Sequence, residues 1–122
     1  MIVLPDRLRD WLSIGPLAVI GTVDLGGHAR LSLVRAARDG DDIVMPVLEG
    51  SPPQLDLIYE PAATVLFWDP DGGPQSIEVR GEVEMTTAGA AELAAGLTRA
   101  RRGPDESWLV VRVVPTAVEM RG

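Results

Sequence analysis

Two arginines on an otherwise apolar stretch are the clearest candidates for chemistry in this sequence. Arg30 and Arg35 bracket the apolar and hydroxyl residues 31–34, and guanidinium groups bind phosphates and carboxylates through paired hydrogen bonds. On a strand, a spacing of five residues places two side chains on opposite faces unless a bulge or a strand end intervenes. Either the two arginines serve one anion, or each is a rim residue paired with one of the 18 carboxylates.

The other reactive side chains favour structural roles. His28 is the only histidine, and its place beside the Gly26-Gly27 turn is typical of a solvated residue. Since there is no cysteine, thiolate nucleophiles and cysteine-ligated zinc are excluded, and a serine triad has only His28 as its base. All 11 basic residues are arginines, which excludes a Schiff-base lysine and a Walker-type phosphate loop. We therefore predict no catalytic side-chain constellation and no metal site.

Charged clusters elsewhere indicate solvated surface. Residues 69–73 resemble the start of a calcium loop, but Arg80 stands where the bidentate glutamate is needed. The glutamates that follow alternate with apolar residues, as on the wet face of a half-buried strand. Arg99, Arg101 and Arg102 form a short basic run, which we expect to solvate a loop, with a phosphate contact as the alternative.

Composition limits the class of protein. The 122 residues, 46% of them apolar, suffice for a single domain over residues 1–122. The net charge of −7 opposes binding to nucleic acids and to anionic membranes. The most continuous apolar stretch, residues 17–23, is far shorter than the roughly 20 residues of a bilayer helix, and residues 1–10 do not form a signal peptide. We expect a cytoplasmic protein.

Three short helices are predicted from spacing and capping residues. Pro5 suits the first turn of a helix, and an apolar stripe at positions 4, 8, 11 and 12 predicts a helix that ends at Gly15-Pro16. Ser51 is expected to cap a second helix that begins with two prolines and ends at Pro61. Thr87 is expected to cap an alanine-rich third helix. The residues expected to form the buried side of the second helix are Leu55, Leu57 and Ile58.

Strands account for most of the remaining pattern. The last strand is expected to end before Pro115, and both of its faces are apolar, which we attribute to a covering partner subunit. The order of elements predicts a β-rich α+β fold, a small and mostly antiparallel barrel with short helices covering the barrel ends. The predicted strands cover residues 17–24, 29–34, 43–47, 62–68, 77–85 and 108–114.

Residues 29–84 resemble the pyridoxamine 5'-phosphate oxidase-like, FMN-binding split-barrel superfamily, which includes F420-dependent reductases. Residues 30–35, RLSLVR, look like the flavin-phosphate strand R-x-V-L-L-K of that family. Residues 60–68, EPAATVLFW, resemble its N-P-x-A-x-L-L-F-x-W region, and residues 79–83, VRGEV, resemble the strand marked by V-x-G.

The resemblance implies a split β-barrel, mostly antiparallel and dimeric, with FMN, or alternatively F420, held in clefts between the two identical subunits. The cofactor would carry the redox chemistry, so the chain needs no acid, base or nucleophile of its own. The implied function is that of a flavin- or F420-binding oxidoreductase-like protein whose substrate the sequence does not name. The residues implied to contact the cofactor are Arg30, Leu31, Ser32, Arg35, Val47 and Ser51.

Departures from the family pattern support a second interpretation. The phosphate loop T-x-x-x-S-R-K appears here as residues 47–53, VLEGSPP, which keep only Ser51 and replace two cations by Pro52 and Pro53. Losing two charge-assisted hydrogen bonds weakens phosphate binding by roughly two to four decades. The alternative is therefore a degenerate, cofactor-free split-barrel dimer that acts as a binding or interaction module.

The end of the sequence bears on the substrate. Residues 113–120, VVPTAVEM, look like the family's L-x-P-x-x-I-E-F-W, but the sequence stops at Gly122. On this resemblance, we expect no oxidation of pyridoxamine 5'-phosphate.

Overall fold

A curled antiparallel sheet forms the frame of the molecule. The computed structural model describes residues 2–98 and 107–122. In this part of the chain, the helices are α1 (Asp6–Leu12), α2 (Pro52–Tyr59) and α3 (Ala90–Thr98). The strands are β1 (Leu17–Val23), β2 (Ala29–Arg35), β3 (Ala37–Asp39), β4 (Asp42–Leu48), β5 (Ala62–Trp68), β6 (Ser76–Thr86) and β7 (Trp108–Arg121). The seven strands pair antiparallel in the order β2-β1-β5-β6-β7-β4-β3, which confirms the predicted β-rich split barrel.

The final strand is longer than predicted because a bulge carries it past a proline. β7 does not end before Pro115 but continues to pair with β6 beyond it. The register shifts between Arg80 and Gly81, so that Gly81 faces Pro115 and Thr116 is the extra residue. A bulge is one of the few places in a sheet that accepts a residue without an N–H group. The Thr116 hydroxyl donates to the carbonyl of Arg80 at 3.3 Å.

Helix α1 packs its apolar stripe into the main core, as its spacing predicts. Leu4, Leu8, Trp11 and Leu12 are all buried, and they share one cluster with the inward side chains of the sheet, including Phe67. Each fully buried leucine contributes about 1.5–3 kcal/mol relative to an exposed one. The burial of this stripe therefore holds the N-terminal segment on the sheet.

The second face of β7 is covered by α3 and not by a partner subunit. Val110 forms a small cluster with Val44 of β4 and Ala90 of α3, and Leu93 and Trp108 pack against it. The attribution of this apolar face to a partner was therefore wrong, because a helix of the same chain covers it. The apolar pattern on both faces of β7 requires no second subunit.

Within the described part of the chain, neither of the two residues predicted to cap a helix, Thr87 and Ser51, makes a capping hydrogen bond with its side chain. α3 begins at Ala90, so Thr87 lies too early to cap it and instead accepts the Ala90 N–H at its backbone carbonyl, at 3.2 Å. Ser51 does occupy the N-cap position of α2, but its hydroxyl makes no capping bond. It donates to the carbonyl of Leu48 at 2.6 Å instead.

Two further predictions concern a basic loop and membrane-spanning helices. The basic run of Arg99, Arg101 and Arg102, predicted to solvate a loop, lies outside the described residues. Among the helices that the structure does describe, none has the length and apolar character needed to cross a bilayer.

Candidate functional site

A cleft of about 530 Å³ lies between β2, β4 and the start of α2. This volume is within the range of small-molecule sites. Its other walls are mostly apolar side chains, among them Pro46, Leu48 and Trp108. All six residues that the family resemblance implied as cofactor contacts line this one cleft: Arg30, Leu31, Ser32, Arg35, Val47 and Ser51.

The cleft runs along an unpaired strand edge. β2 is the last strand on one side of the described sheet. Immediately after β2, the N–H of Ala36 donates to the Pro16 carbonyl at the start of β1, at 3.0 Å. In an antiparallel pair, successive residues direct their backbone groups alternately to the two sides. Leu31 and Leu33 therefore present their N–H and C=O groups to the open edge, where they can hydrogen bond to a planar ligand.

Arg30 and Arg35 point to opposite faces of β2, because the β1–β2 register is regular. Arg30 is opposite Thr22 and Arg35 is opposite Leu17, with no bulge between these pairs. Both arginines still line the cleft, since it follows the open edge. The sequence left open whether the two arginines share one anion or each pair with a carboxylate, and Arg30 does pair with a carboxylate. Among the described residues, the only hydrogen bond of the Arg35 side chain is a 3.4 Å donation to the Gly15 carbonyl.

Asp56, which no motif in the sequence indicated, is the buried partner of Arg30. Its Oδ2 atom accepts hydrogen bonds from Arg30 Nε and from the Thr22 hydroxyl, both at 2.7 Å. Asp56 is only 6% exposed, and a carboxylate so hidden from water is costly unless it is paired. Among the described residues, the Nη groups of Arg30 have no hydrogen-bond partner. These groups are therefore available to a ligand in the cleft.

Helix α2 buries a different side from the one predicted. Of the three apolar residues expected inside, only Leu57 is buried, whereas Leu55 and Ile58 are exposed. Gln54 and Asp56 lie on the buried side instead. Both anchor the helix through polar contacts, since Gln54 Oε1 accepts a backbone N–H from the preceding turn at 2.9 Å. The sequence signal for this was a lone acidic residue between apolar helix positions, combined with an arginine on an apolar strand.

The start of α2 provides few donors to the cleft. Pro52 and Pro53 occupy its first two positions and line the cleft. Proline has no N–H, so the helix terminus lacks two of the donors that commonly bind phosphate. The Ser51 hydroxyl is engaged with a backbone carbonyl. Any anion in the cleft therefore depends chiefly on the two arginines.

The β1–β2 turn is a solvated structure, as predicted for its histidine. The side chain of His28 is 81% exposed, and its Nδ1 lies 3.4 Å from Asp24 Oδ1. The pKa of Asp24 is lowered mainly because its carboxylate accepts the backbone N–H of His28, with a further contribution from the Gly26 N–H. The turn is thus stabilised by Asp24.

Strands β1, β2 and β5 present an apolar face to the outside of the sheet. Leu31 and Leu33, the most exposed of its members, are 74% and 69% accessible. Contiguous apolar surface of this kind marks an interaction site in soluble proteins. We call it the outer apolar face, and its members are Leu17, Val19, Val23, Leu31, Leu33, Leu66 and Trp68.

Solved structures share this architecture over almost the whole chain. An F420 reductase superposes with a TM-score of 0.81 at 22% identity, covering 95% of this chain and 98% of that one. A Listeria innocua protein assigned provisionally as a pyridoxamine 5'-phosphate oxidase has a TM-score of 0.77 at 18% identity, covering 94% and 95% of the two chains. HupZ from group A Streptococcus has a TM-score of 0.75 at 18% identity, covering 95% and 92%.

These likenesses establish the fold. The chain has a split-barrel fold, which confirms the fold that the sequence resemblance implied. No protein-family model matches the sequence, and no curated protein matches it either.

Proposed function

We propose that this protein binds FMN or F420 in the cleft beside β2 and is an oxidoreductase-like protein of the split-barrel type. The observation that carries the proposal is that Arg30, Arg35 and the open backbone edge of Leu31 and Leu33 meet in one cleft of suitable size. The similarity in fold to an F420 reductase supports the same class of cofactor.

Each part of the cleft has a distinct task in this proposal. Arg30 and Arg35 bind the phosphate, and the β2 backbone at Leu31 and Leu33 contacts the ring. The apolar walls exclude water from the ring, which favours hydride transfer over side reactions. When bound, the cofactor supplies the hydride chemistry itself. The substrate therefore needs only to be held against the ring.

A parallel titration with FMN and F420 tests the proposal directly. We expect one of the two cofactors to bind the purified apo-protein with a micromolar or lower Kd, read from the quenching of cofactor fluorescence. That Kd corresponds to about 8 kcal/mol or more of binding free energy. No quenching by either cofactor at millimolar concentration would contradict the proposal.

We also propose that the outer apolar face is the interface of a homodimer. Leu66 lies on β5 opposite Val19 of β1, on this face. A charged side chain buried there without a partner is strongly unfavourable, so Leu66→Asp is expected to convert the dimer into a monomer, measured by sedimentation velocity. Leu25, exposed in the β1–β2 turn and outside this face, offers the matched control: Leu25→Asp should leave the dimer intact. A Leu66→Asp protein that still sediments as a dimer would place the interface elsewhere.

A second function is favoured by one observation. Pro52 and Pro53 line the cleft where an anion-binding helix start would present N–H groups. If neither cofactor binds, the protein is a cofactor-free dimer that acts as a binding or interaction module. In that case neither cofactor quenches in the titration, while sedimentation still shows a wild-type dimer that Leu66→Asp converts into a monomer.

A further inference from the structure

We propose that Asp56 is a specificity-determining residue, which makes the cleft select a singly charged anion, such as a phosphodiester, over a doubly charged phosphate monoester. The inference rests on the proposed function, in which the cleft binds a phosphate-bearing cofactor. It deepens that function by naming the charge of the group that is bound and the residue that sets the preference.

The first argument is the charge balance of the cleft. Arg30 and Arg35 are the only charged side chains among its described walls. Asp56 is buried behind Arg30 and bonded to it at 2.7 Å, so the pair is neutral as a whole. Among the described walls, the cleft is left with one uncompensated positive charge, that of Arg35. A ligand with one negative charge balances it, whereas a second negative charge has no counterpart and is repelled by Asp56.

The second argument is the shortage of neutral donors at the start of α2. In many phosphate sites the backbone N–H groups of a helix start stabilise additional negative charge. Here Pro52 and Pro53 remove two of these groups, and the Ser51 hydroxyl already donates to Leu48. The Nη groups of Arg30 remain, and they suit two oxygens of one phosphate. The cleft can therefore hydrogen bond to a phosphate without neutralising a dianion.

The other ionisable groups near Arg30 that the structure describes stand back from the cleft. They lie on the elements packed around Arg30 or at the ends of those elements, and none of them lines the described cleft. These groups are Asp24 and His28 of the β1–β2 turn, Asp42 and Glu49 at the ends of β4, and Tyr59 and Glu60 at the end of α2.

The test compares two probes that differ in phosphate charge and in a single methyl group. FMN carries a monoester whose second proton leaves near pH 6, whereas its monomethyl phosphodiester keeps a single charge. For the wild type, we expect the two probes to bind within about threefold of each other at about pH 5.5, and the Kd of FMN relative to that of the diester to rise about tenfold by about pH 7.5, as the monoester gains its second charge. Using the ratio removes contributions from protein groups such as His28, which affect both probes.

The variant Asp56→Asn removes the negative charge and keeps the shape. The ratio should then shift in favour of FMN by about tenfold or more at about pH 7.5, because a unit charge several ångströms away is no longer opposing the dianion. Asp71→Asn, in the β5–β6 turn, makes the same change of net charge as a control and should leave the ratio as in the wild type. Near-ultraviolet circular dichroism shows whether each variant is folded.

The outcomes separate this inference from the proposed function. If the wild type binds both probes but Asp56→Asn leaves their ratio unchanged, the role of Asp56 is wrong and the proposed function stands. If Asp56→Asn does not fold, the wild-type ratio still decides, since a ratio that does not move toward the diester between about pH 5.5 and 7.5 overturns the inference. If the wild type binds neither probe at millimolar concentration, the inference fails, and the proposed function fails with it if F420 does not bind either.

Discussion

Replacing Gly81 by alanine is expected to destabilise the protein by at least about 3 kcal/mol, as overpacking against rigid backbone does. Gly81 lies at the bulge where β6 passes Pro115. An added Cβ would overlap the carbonyl oxygen of Val114 and would come within 2.8 Å of the Val114 carbonyl carbon. Because backbone atoms cannot move aside as a flexible side chain can, β6 and β7 would have to separate locally. Urea denaturation followed by tryptophan fluorescence measures the loss.

Gly96 is the matched control for this prediction. It lies in α3 with no atom within 4 Å of an added Cβ, so Gly96→Ala should stabilise the protein by about 0.5–1 kcal/mol through helix propensity. Glycine-to-alanine substitution is thus expected to lower the stability at Gly81 and to raise it at Gly96. If Gly81→Ala unfolds at the same urea concentration as the wild type, the close approach of β6 to β7 at the bulge is incorrect.

The double variant Arg30→Ala with Arg35→Ala is expected to weaken binding of the cofactor by about two to four decades. Each arginine provides a charge-assisted hydrogen bond to the phosphate, which is worth about 1.5–3 kcal/mol. The variant should also lose about 2 kcal/mol of stability, because Asp56 remains buried without its cation. This loss is smaller than for a fully buried pair, since the Arg30 side chain is 38% exposed.

Single variants separate the two effects. Arg35→Ala alone should weaken binding with little change in stability, whereas Arg30→Ala alone should lower both. A protein with Arg38→Ala and Arg121→Ala carries the same change in net charge on exposed sites, and should bind the cofactor as the wild type does. Fluorescence titration and urea denaturation on the same preparations measure both quantities. An unchanged affinity in the Arg30 and Arg35 double variant would remove both residues from the phosphate site.

The regular elements could be predicted because their signals are local. The alternation in β6 and the apolar stripe of α1 are each written within about a dozen consecutive residues, and the structure buries the positions that these patterns indicate. The end of β7 was harder to predict from the sequence. Proline normally argues against a continuing strand, and only the bulge opposite Gly81 makes Pro115 acceptable.

The candidate site, too, could be predicted from the sequence only in part. The family motif, read from the sequence alone, selected Arg30, Arg35 and Ser51, and the structure places them around one cleft. The motif did not indicate Asp56, which is 26 residues from Arg30 in the chain. Short apolar helices of this kind usually bury their leucines, and α2 instead buries polar residues because they have partners on β1 and before the helix.

The class of fold, the face to which most strand residues point, and the two arginines on one apolar strand all follow from the order of residues. Periodicity is the reason, since the period of a strand or helix fixes the direction of each side chain relative to its neighbours. The three-dimensional arrangement was needed to show that α3 covers β7 and that Asp56 neutralises Arg30. Both depend on the path of the chain through space, which brings together residues whose local sequences contain no information about each other.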